Sequence, residues 1–329
     1  MGRVLSGMRP TGPLHLGHLL GALENWIQLQ KDHECFFMVA DLHALMGEYE
    51  NVLQLRQNSI EMVIDWLACG IDPEKSVLFV QSEIPEHAEL ALILGMITPL
   101  GWLERNPTYK EQLREIEGRD LTTFGFLGYP VLQAADILLY KADKVPVGED
   151  QVAHLELTRE IVRRFKHFYK KDIFPEPAAL LTKEARILGT DRRKMSKSYG
   201  NAVNLSDAEE SVRKKVQTMV TDPARVKVTD PGHPDVCNVY SYYKIFSNEQ
   251  TVKEVHDWCT QAKKGCTDCK KTMASALVEK MKPIWERRKK YEKEHRMVED
   301  ILKKGREKAS VVAKNTLQEV KQILNLYKG

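Results

Sequence analysis

Two stretches of this 329-residue chain combine residue types that do chemistry on phosphates. The first is Arg9-Pro10-Thr11-Gly12-Pro13-Leu14-His15-Leu16-Gly17-His18. Gly12 and Gly17 let backbone approach a ligand closely. A helix starting near His15 offers unpaired N–H groups and the positive end of its dipole. His15 and His18, three apart, share one face of its first turn. Two imidazoles there can donate hydrogen bonds to phosphate oxygens as charge develops. No Gly-Lys-Ser/Thr closes the segment, so it is not a P-loop, and it lacks the dinucleotide fingerprint. The bland alternative is a helix start with two surface histidines. The second stretch is Lys194-Met195-Ser196-Lys197-Ser198, flanked by Gly189 and Gly200 as hinges. Such a loop can close on a triphosphate and neutralise a leaving pyrophosphate. Alone, it is also what a solvated basic loop looks like.

Two further segments suit ligand recognition. Tyr129 to Leu138 (YPVLQAADIL) puts one carboxylate, Asp136, inside an apolar run. A buried Asp needs hydrogen-bond partners. An indole N–H, which only donates, would match it and would make the site reject ligands without that group. A neighbouring backbone group or an arginine would serve equally. Val147-Gly148-Glu149-Asp150-Gln151 offers close backbone approach at Gly148 and polar reach beyond it, or simply a turn before a helix. The third candidate centre is four cysteines, Cys237, Cys259, Cys266 and Cys269, within 33 residues. Four thiolates can hold zinc or a [4Fe–4S] cluster, and their spacing alone does not separate the two. Cys35 and Cys69 lie in apolar surroundings and read as core.

The elements that must position these groups alternate in the first half. Val4-Leu5, Cys35–Ala40 and Val77–Val80 read as short buried strands. Segments 15–30 and 52–70 carry apolar residues at helical spacing. Alternation of this kind argues for an α/β fold with a parallel sheet, in which ligands bind beyond the carboxyl ends of the strands. Gly7–Pro13, Asp41 and Gln81 fall at those ends. After about Asn201 the strand signals fade, and 208–219, 250–263, 271–293 and 298–327 read as helices.

Hydrophobic residues make up 43% and charged residues 29% of the chain, a soluble globular balance. No apolar run is long enough to span a bilayer and no basic-then-apolar leader is seen, so a cytoplasmic protein is expected, with neither membrane nor DNA as partner. Charge is uneven. From Thr251 to Gly329 there are 20 Lys and Arg against 11 Asp and Glu, a surplus of +9, which leaves the remainder at −6. A basic C-terminal quarter suits contact with a phosphate backbone, or a solvated helical surface.

His-x-Gly-His near the start and Lys-Met-Ser-Lys-Ser after an α/β region together resemble the class I aminoacyl-tRNA synthetases. Gly-Met-Arg-Pro-Thr-Gly at 7–12, the Asp136 segment and Val-Gly-Glu-Asp-Gln at 147–151 narrow the resemblance to the tryptophanyl-tRNA synthetase family, over nearly the whole chain. It implies a Rossmann-type parallel-sheet catalytic domain over residues 1–200, followed by an all-helical C-terminal domain over 201–329 that binds the tRNA anticodon and carries the cysteines. It implies activation of L-tryptophan by ATP with Mg2+, transfer to tRNA(Trp), and a homodimer. Catalysis would rest with His15, His18, Lys194 and Lys197. ATP would meet Arg9, Pro10, Thr11, Gly17, His18, Gly148, Glu149, Asp150, Ile187, Lys194, Met195, Ser196, Lys197 and Ser198. Tryptophan would meet Leu5, His43, Tyr129, Gln133, Asp136 and Gln151, with Asp136 accepting the indole N–H. A bacterial subset with a similar Cys…Cys-x6-Cys-x2-Cys pattern implies a [4Fe–4S] cluster on Cys237, Cys259, Cys266 and Cys269, with zinc as the alternative. Arg9 and His18 stand where many bacterial members carry Gln or Asn. The sister tyrosyl family usually has Gly-Gly-x-Asp-Gln at the 147–151 turn, where Val147 and Glu149 here favour tryptophan. Competing readings are a tyrosyl-tRNA synthetase, a small-molecule nucleotidyltransferase that shares the His-x-Gly-His helix start, and a non-catalytic RNA-binding or iron–sulfur sensor protein on the same scaffold.

Overall fold

Residues Cys35–Val39 are buried at every position, the pattern of a strand covered on both faces. In the computed structural model, which describes residues 2–50, 52–115, 121–181 and 187–327, that strand belongs to a five-stranded sheet. The strands are β1 (Arg3–Met8), β2 (Glu34–Val39), β3 (Ser76–Val80), β4 (Lys144–Val147) and β5 (Ala178–Leu181). Their order is β3-β2-β1-β4-β5 and every neighbouring pair is parallel. The order reverses between β1 and β4, so a crevice opens there beyond the strand ends. Pairing across that junction is confined to Val4 with Lys144. Pro146, two residues on, has no N–H to extend it.

Parallel strands need crossovers, and helices supply them. Between β1 and β2 lie α1 (Leu16–His18), a π-helical turn (Leu19–Leu23) and α2 (Glu24–Leu29). Between β2 and β3 lie α3 (Asp41–Glu48) and α4 (Leu55–Cys69), which ends on Gly70 at φ +117°. Between β3 and β4 come α5 (Glu86–Ile97), α6 (Leu100–Glu104), α7 (Pro107–Glu115) and α8 (Phe124–Leu139). α9 (Val152–Tyr169) joins β4 to β5. Only helices follow from Glu209: α10 (Glu209–Thr218), α11 (Asn238–Phe246), α12 (Glu249–Thr260), α13 (Cys266–Lys293) and α14 (His295–Ile323). This is an α/β Rossmann-type sheet with a helical C-terminal region. No helix among the described residues is long and apolar enough to cross a membrane.

The period-two alternation of the strands sends Val4, Cys35, Phe37 and Leu78 to one face and Leu5, Phe36, Met38 and Phe79 to the other. On the first face Trp26 stacks on Phe37 with ring centroids 4.4 Å apart, and the core continues through α4 into Val212, Tyr242, Met273 and Leu277 of the C-terminal helices. The second face is covered by α5, α8 and α9. α14 contributes to both: Val298 and Leu302 join the first core, and Ala309, Ala313, Leu317 and Val320 the second. It therefore passes over β3, the edge strand, and covers an edge that would otherwise offer unpaired backbone.

Three differences from the sequence reading have physical causes. β4 and β5 are strands of only four residues, too short to show a period, and Pro146 argues against a strand locally. Residues 15–30 form a helical path whose middle widens into a π turn, which periodicity cannot register. The start of α4 lies at Leu55 rather than Val52.

The crossing of α14 over β3 depends on Gly305: a methyl group there would fall 1.7 Å from the carbonyl oxygen of Leu78. Gly305→Ala should therefore lower the thermal midpoint and cost about 1–3 kcal/mol of stability, because overpacking against backbone outweighs the gain in helix propensity. A thermal unfolding curve checks this, and a stabilised variant would contradict the close-packed crossing.

Candidate active site

His15 caps the helix start with its own ring: its Nδ1 accepts from the Gly17 N–H at 3.1 Å. The Nδ1 of His18 in turn accepts from the His15 N–H at 3.1 Å. With both δ-nitrogens acting as acceptors, the ring protons sit on the ε-nitrogens, which become donors. Burial pulls the pKa of His15 down to about 4, helped by the charge of Lys197, and that of His18 down to about 3, helped by His15 and Lys197. The two rings, 3.9 Å apart, are thus neutral hydrogen-bond donors near pH 7. Gly17 is required beneath them, since a methyl group there would come within 2.9 Å of the His15 ring.

The lysine loop lies on this motif. Lys197 Nζ donates to the Gly12 carbonyl at 3.0 Å and stands 3.5 Å from Thr11 Oγ1. Gly12 has φ +126°, the left-handed region that favours glycine. Burial, then the charge of Arg9, pulls the Lys197 ammonium down to about 8. The loop is held by Asn201, which sequence reading treats only as a boundary. Its Oδ1 accepts from the Ser196 N–H at 2.8 Å, and its Nδ2 donates to Asp191 at 2.7 Å and to the Lys194 carbonyl at 3.2 Å. Gly189 gives room for Asn201, whose side chain would lie 2.2 Å from a methyl group there, so close packing rather than hinge freedom explains this glycine. Met195 and Ile187 are buried, Ile187 next to Gly17. The Ser198 N–H donates to Ser196 Oγ at 3.3 Å. Lys194 is exposed on a short bridge with Leu188.

Between β1 and β4 the crevice forms a cavity of about 390 Å³. Leu5, His43, Tyr129, Gln133, Asp136 and Gln151 all line it, joined by Gly21 and Ala22 of the π turn. Of the residues expected at ATP, Arg9 and Gly148 also line it. Pro10 is buried behind the loop, Thr11 is at the Lys197 contact, and Glu149 is exposed on the turn after Gly148. The side chain of Asp150 lies outside the described residues.

Asp136 is 2% exposed. It accepts from His87 Nδ1 at 2.6 Å, His43 Nε2 at 2.8 Å and Gln81 Nε2 at 2.8 and 3.0 Å. Burial works to raise its pKa, but the hydrogen bonds from His43 and His87 prevail and hold it below the ordinary carboxylate range. Tyr140 Oη pairs with His87 Nε2 at 2.8 Å and extends the chain. Tyr129 Oη stands 2.9 Å from His154 Nε2, and His154 Nδ1 3.0 Å from Asn106 Nδ2. Sequence reading places Gln81 at a strand end without this role, and misses His87, Tyr140, Asn106 and His154. None belongs to a local motif.

The four cysteines converge at the start of α13. Cys266 and Cys269 are in its first turn, Cys259 is in the last turn of α12, and Cys237 precedes α11. All four are free and half-buried. Burial raises the thiol pKa of Cys237, of Cys259 and of Cys269, the last to about 11, and each of the three also feels the charge of Cys266. Gly232 packs against the group, since a methyl group there would fall 2.5 Å from Cys259 Sγ. Arg225 Nη1 reaches to 3.9 Å from Cys266 Sγ. Among the described residues no three His, Cys, Asp or Glu side chains are gathered on a point that could hold one metal ion. Four neighbouring thiols are nevertheless a donor set suited to a thiolate-bound centre.

A parallel sheet with a ligand cavity at its switch point, a pair of histidine donors at a helix start and a lysine loop laid across them define an α/β nucleotide-activating enzyme. Comparison with known proteins gives the family. A family model described as tRNA synthetases class I (W and Y) matches residues 2–282. The chain is 53% identical over 326 residues to a tryptophan–tRNA ligase of Thermotoga maritima, covering 98% of this chain and 99% of that protein. It is 46% identical over 394 residues to a tryptophan–tRNA ligase of Aquifex aeolicus, covering 98% and 100%. Its fold superposes on the crystal structure of tryptophanyl-tRNA synthetase from Campylobacter jejuni complexed with ADP and tryptophan, with a TM-score of 0.90, 33% identity, and coverage of 98% and 100%. The chain belongs to the class I tRNA synthetases for tryptophan and tyrosine and is an aminoacyl-tRNA synthetase.

The position of Lys197 predicts a pH dependence. In the free enzyme its ammonium discharges as pH rises through about 8, so kcat/KM for ATP in ATP–pyrophosphate exchange should decline above that pH. Arginine stays charged across this range, so Lys197→Arg, whatever its absolute rate, should lack that decline. A profile of the variant that keeps the alkaline limb would assign it to another group.

Proposed function

We propose that this chain is a tryptophan–tRNA ligase, which activates L-tryptophan with ATP to tryptophanyl-adenylate and transfers it to tRNA(Trp). The observation that carries the reading is Asp136, an ionised, buried carboxylate at the wall of a largely apolar cavity. Such a group only accepts hydrogen bonds, and an indole N–H only donates. His43 borders the cavity and holds Oδ2, so the indole N–H shares or takes over that acceptor. Tyrosine is the second reading, because a phenol O–H can also donate to a carboxylate. The identity to two tryptophan–tRNA ligases over nearly their full lengths favours the indole.

Activation needs attack by the tryptophan carboxylate on the α-phosphorus of ATP, with the bond to the bridging oxygen breaking and pyrophosphate leaving. His15 and His18 donate from their ε-nitrogens to phosphate oxygens. Lys197 leaves the Gly12 carbonyl for the departing pyrophosphate, with Lys194 as a second cation of the loop. Neutral imidazoles and preset dipoles need no reorganisation as charge develops. Arg9 to Thr11, Gly17, Gly148 to Asp150, Ile187 and residues 194–198 border the nucleotide. Mg2+ accompanies ATP and offsets phosphate charge.

In this reading residues 1–200 carry the chemistry and 201–329 bind the tRNA anticodon, with the basic surplus of the C-terminal quarter meeting phosphates. The protein acts in the cytoplasm as a homodimer, the acceptor end and anticodon of one tRNA meeting different subunits. Cys237, Cys259, Cys266 and Cys269 hold a [4Fe–4S] cluster, with zinc as the alternative. The cluster is structural, because its ligands sit at the far end of α13 from the residues that touch the ATP motif.

Exchange of pyrophosphate into ATP should depend on tryptophan and not on tyrosine. Asp136→Asn should lower kcat/KM for tryptophan about 100-fold, the scale of losing a charged acceptor in a dry site, while KM for ATP changes little. Tyrosine-dependent exchange would move the chain to the sister activity. Cys266→Ser should remove the visible absorption and acid-labile sulfide of the anaerobically purified protein, spare tryptophan activation and weaken tRNA charging. Colourless wild-type protein with stoichiometric zinc would replace the cluster by zinc.

A further inference from the structure

Leu14, the residue before His15, is held through both of its peptide groups, and both holds end on α13. Its N–H faces the carboxylate of Asp65 on α4. Asp65 is 1% exposed and ion-paired with Arg288 of α13, itself 6% exposed, whose other amino group pairs with Glu61. The Leu14 carbonyl accepts from the Leu205 N–H at 2.8 Å. The carbonyl of Leu205 accepts from the indole N–H of Trp285, also on α13, at 3.1 Å. Trp285 and Arg288 are three residues apart and share a helix face. The adjoining segment is stitched the same way, with the Leu16 N–H on the Val203 carbonyl at 3.0 Å.

The arrangement is more than a convenience of packing. A buried ion pair is seldom the most stable way to join two helices, and apolar residues of similar volume often do better. What the pair does supply is a fixed carboxylate under the Leu14 N–H. The indole N–H fixes, at one remove, the next peptide unit, made of the Leu14 carbonyl and the His15 N–H. The direction of the His15 and His18 ε-nitrogens depends on that unit, because His15 opens the turn and His18 is locked to the His15 N–H.

We propose that Trp285 and Arg288 are positioning residues for the phosphate-binding turn, and that α13 is the strut through which the helical region sets the aim of His15 and His18. The proposal rests on the reading of that turn as the ATP site. α13 begins at Cys266 and Cys269, so the same rigid element joins the cysteine group to the chemistry without bringing it near the reacting atoms. Misaiming donors acts on the transition state more than on ground-state binding, so kcat should fall while tryptophan binding holds.

The test is ATP–pyrophosphate exchange on the full-length protein with Trp285→Phe, which keeps an aromatic ring in place while removing the N–H together with the five-membered ring that carries it. Its kcat should fall about tenfold, on the scale of small misplacements at a reacting centre, with tryptophan Kd by calorimetry and the thermal midpoint near wild type. Arg288→Gln should lose about 100-fold in kcat, and Arg288→Lys, which keeps a cation on Asp65, should recover most of it. A wild-type kcat in Trp285→Phe overturns the proposal. So does a loss that appears equally in tryptophan binding, since that is general loosening. Trp285→Phe decides the matter even if Arg288→Gln fails to fold. Absence of exchange in the wild type would instead sink the functional reading.

Discussion

The contact of Lys197 with the Gly12 carbonyl joins residues 185 positions apart in sequence. Neither segment can do its chemistry without the other. A histidine pair at a helix start can hold phosphate but cannot neutralise a departing pyrophosphate, and a mobile lysine loop has nothing to aim at by itself. The entropy of closing so long a loop grows only slowly with length, but it must be offset by something, and here that is the sheet and its two cores. Burial at Lys197 is what makes the contact informative, because a desolvated ammonium with a depressed pKa is held ready for an anion that would stabilise its charge. The carbonyl of Gly12 serves as a stand-in until that anion arrives.

The same crevice separates two environments. Around Asp136 the walls are dry and every donor that reaches the carboxylate is fixed: His87 is buttressed by Tyr140, and Gln81 spans both oxygens. At the other end Thr11 and Pro13 of the first motif and Lys194 and Ser198 of the loop meet solvent. Specificity profits from the first setting, since an indole N–H can share Oδ2 with His43 while a ligand without a donor there gains nothing from the carboxylate. Phosphate chemistry profits from the second, where substrate must enter and pyrophosphate must leave. Arg9 stands between them, lining the cavity while its charge also depresses Lys197 and acts on Tyr129.

Much of this was legible in the sequence because the chemistry is carried by short, contiguous motifs. The His15 and Lys197 segments declare themselves by residue type and glycine placement. Cys35–Ala40 reads as a buried strand, and Cys35–Val39 are indeed buried throughout. Asp136 stood out as a charge in an apolar run, although its partners did not, since His43, Gln81 and His87 come from three other elements. Pairings of that kind depend on tertiary placement and leave no local periodicity. β4 hid for a different reason: its Pro146 argues against a strand, yet that proline sits where the ladder to β1 stops and the cavity begins. Asn201 and Gly305 were equally silent, because their roles lie in what approaches them across the fold.

The strands end with β5 and helices follow from Glu209, but the core does not break between them. Val4 and Phe37 share one cluster with Tyr242, Met273 and Leu277, and α14 contributes to the cores on both faces of the sheet. Close-packed interiors transmit strain rather than absorb it. A helical region fused to the sheet in this way cannot shift as a free body on a linker. Whatever engages its far end must act through the helices that reach the active site. Of these α13 is the one that grips the peptide before His15 from both sides. The four-cysteine group lies at the opposite end of that helix from Trp285 and Arg288, so the grip on the peptide before His15 does not run through it.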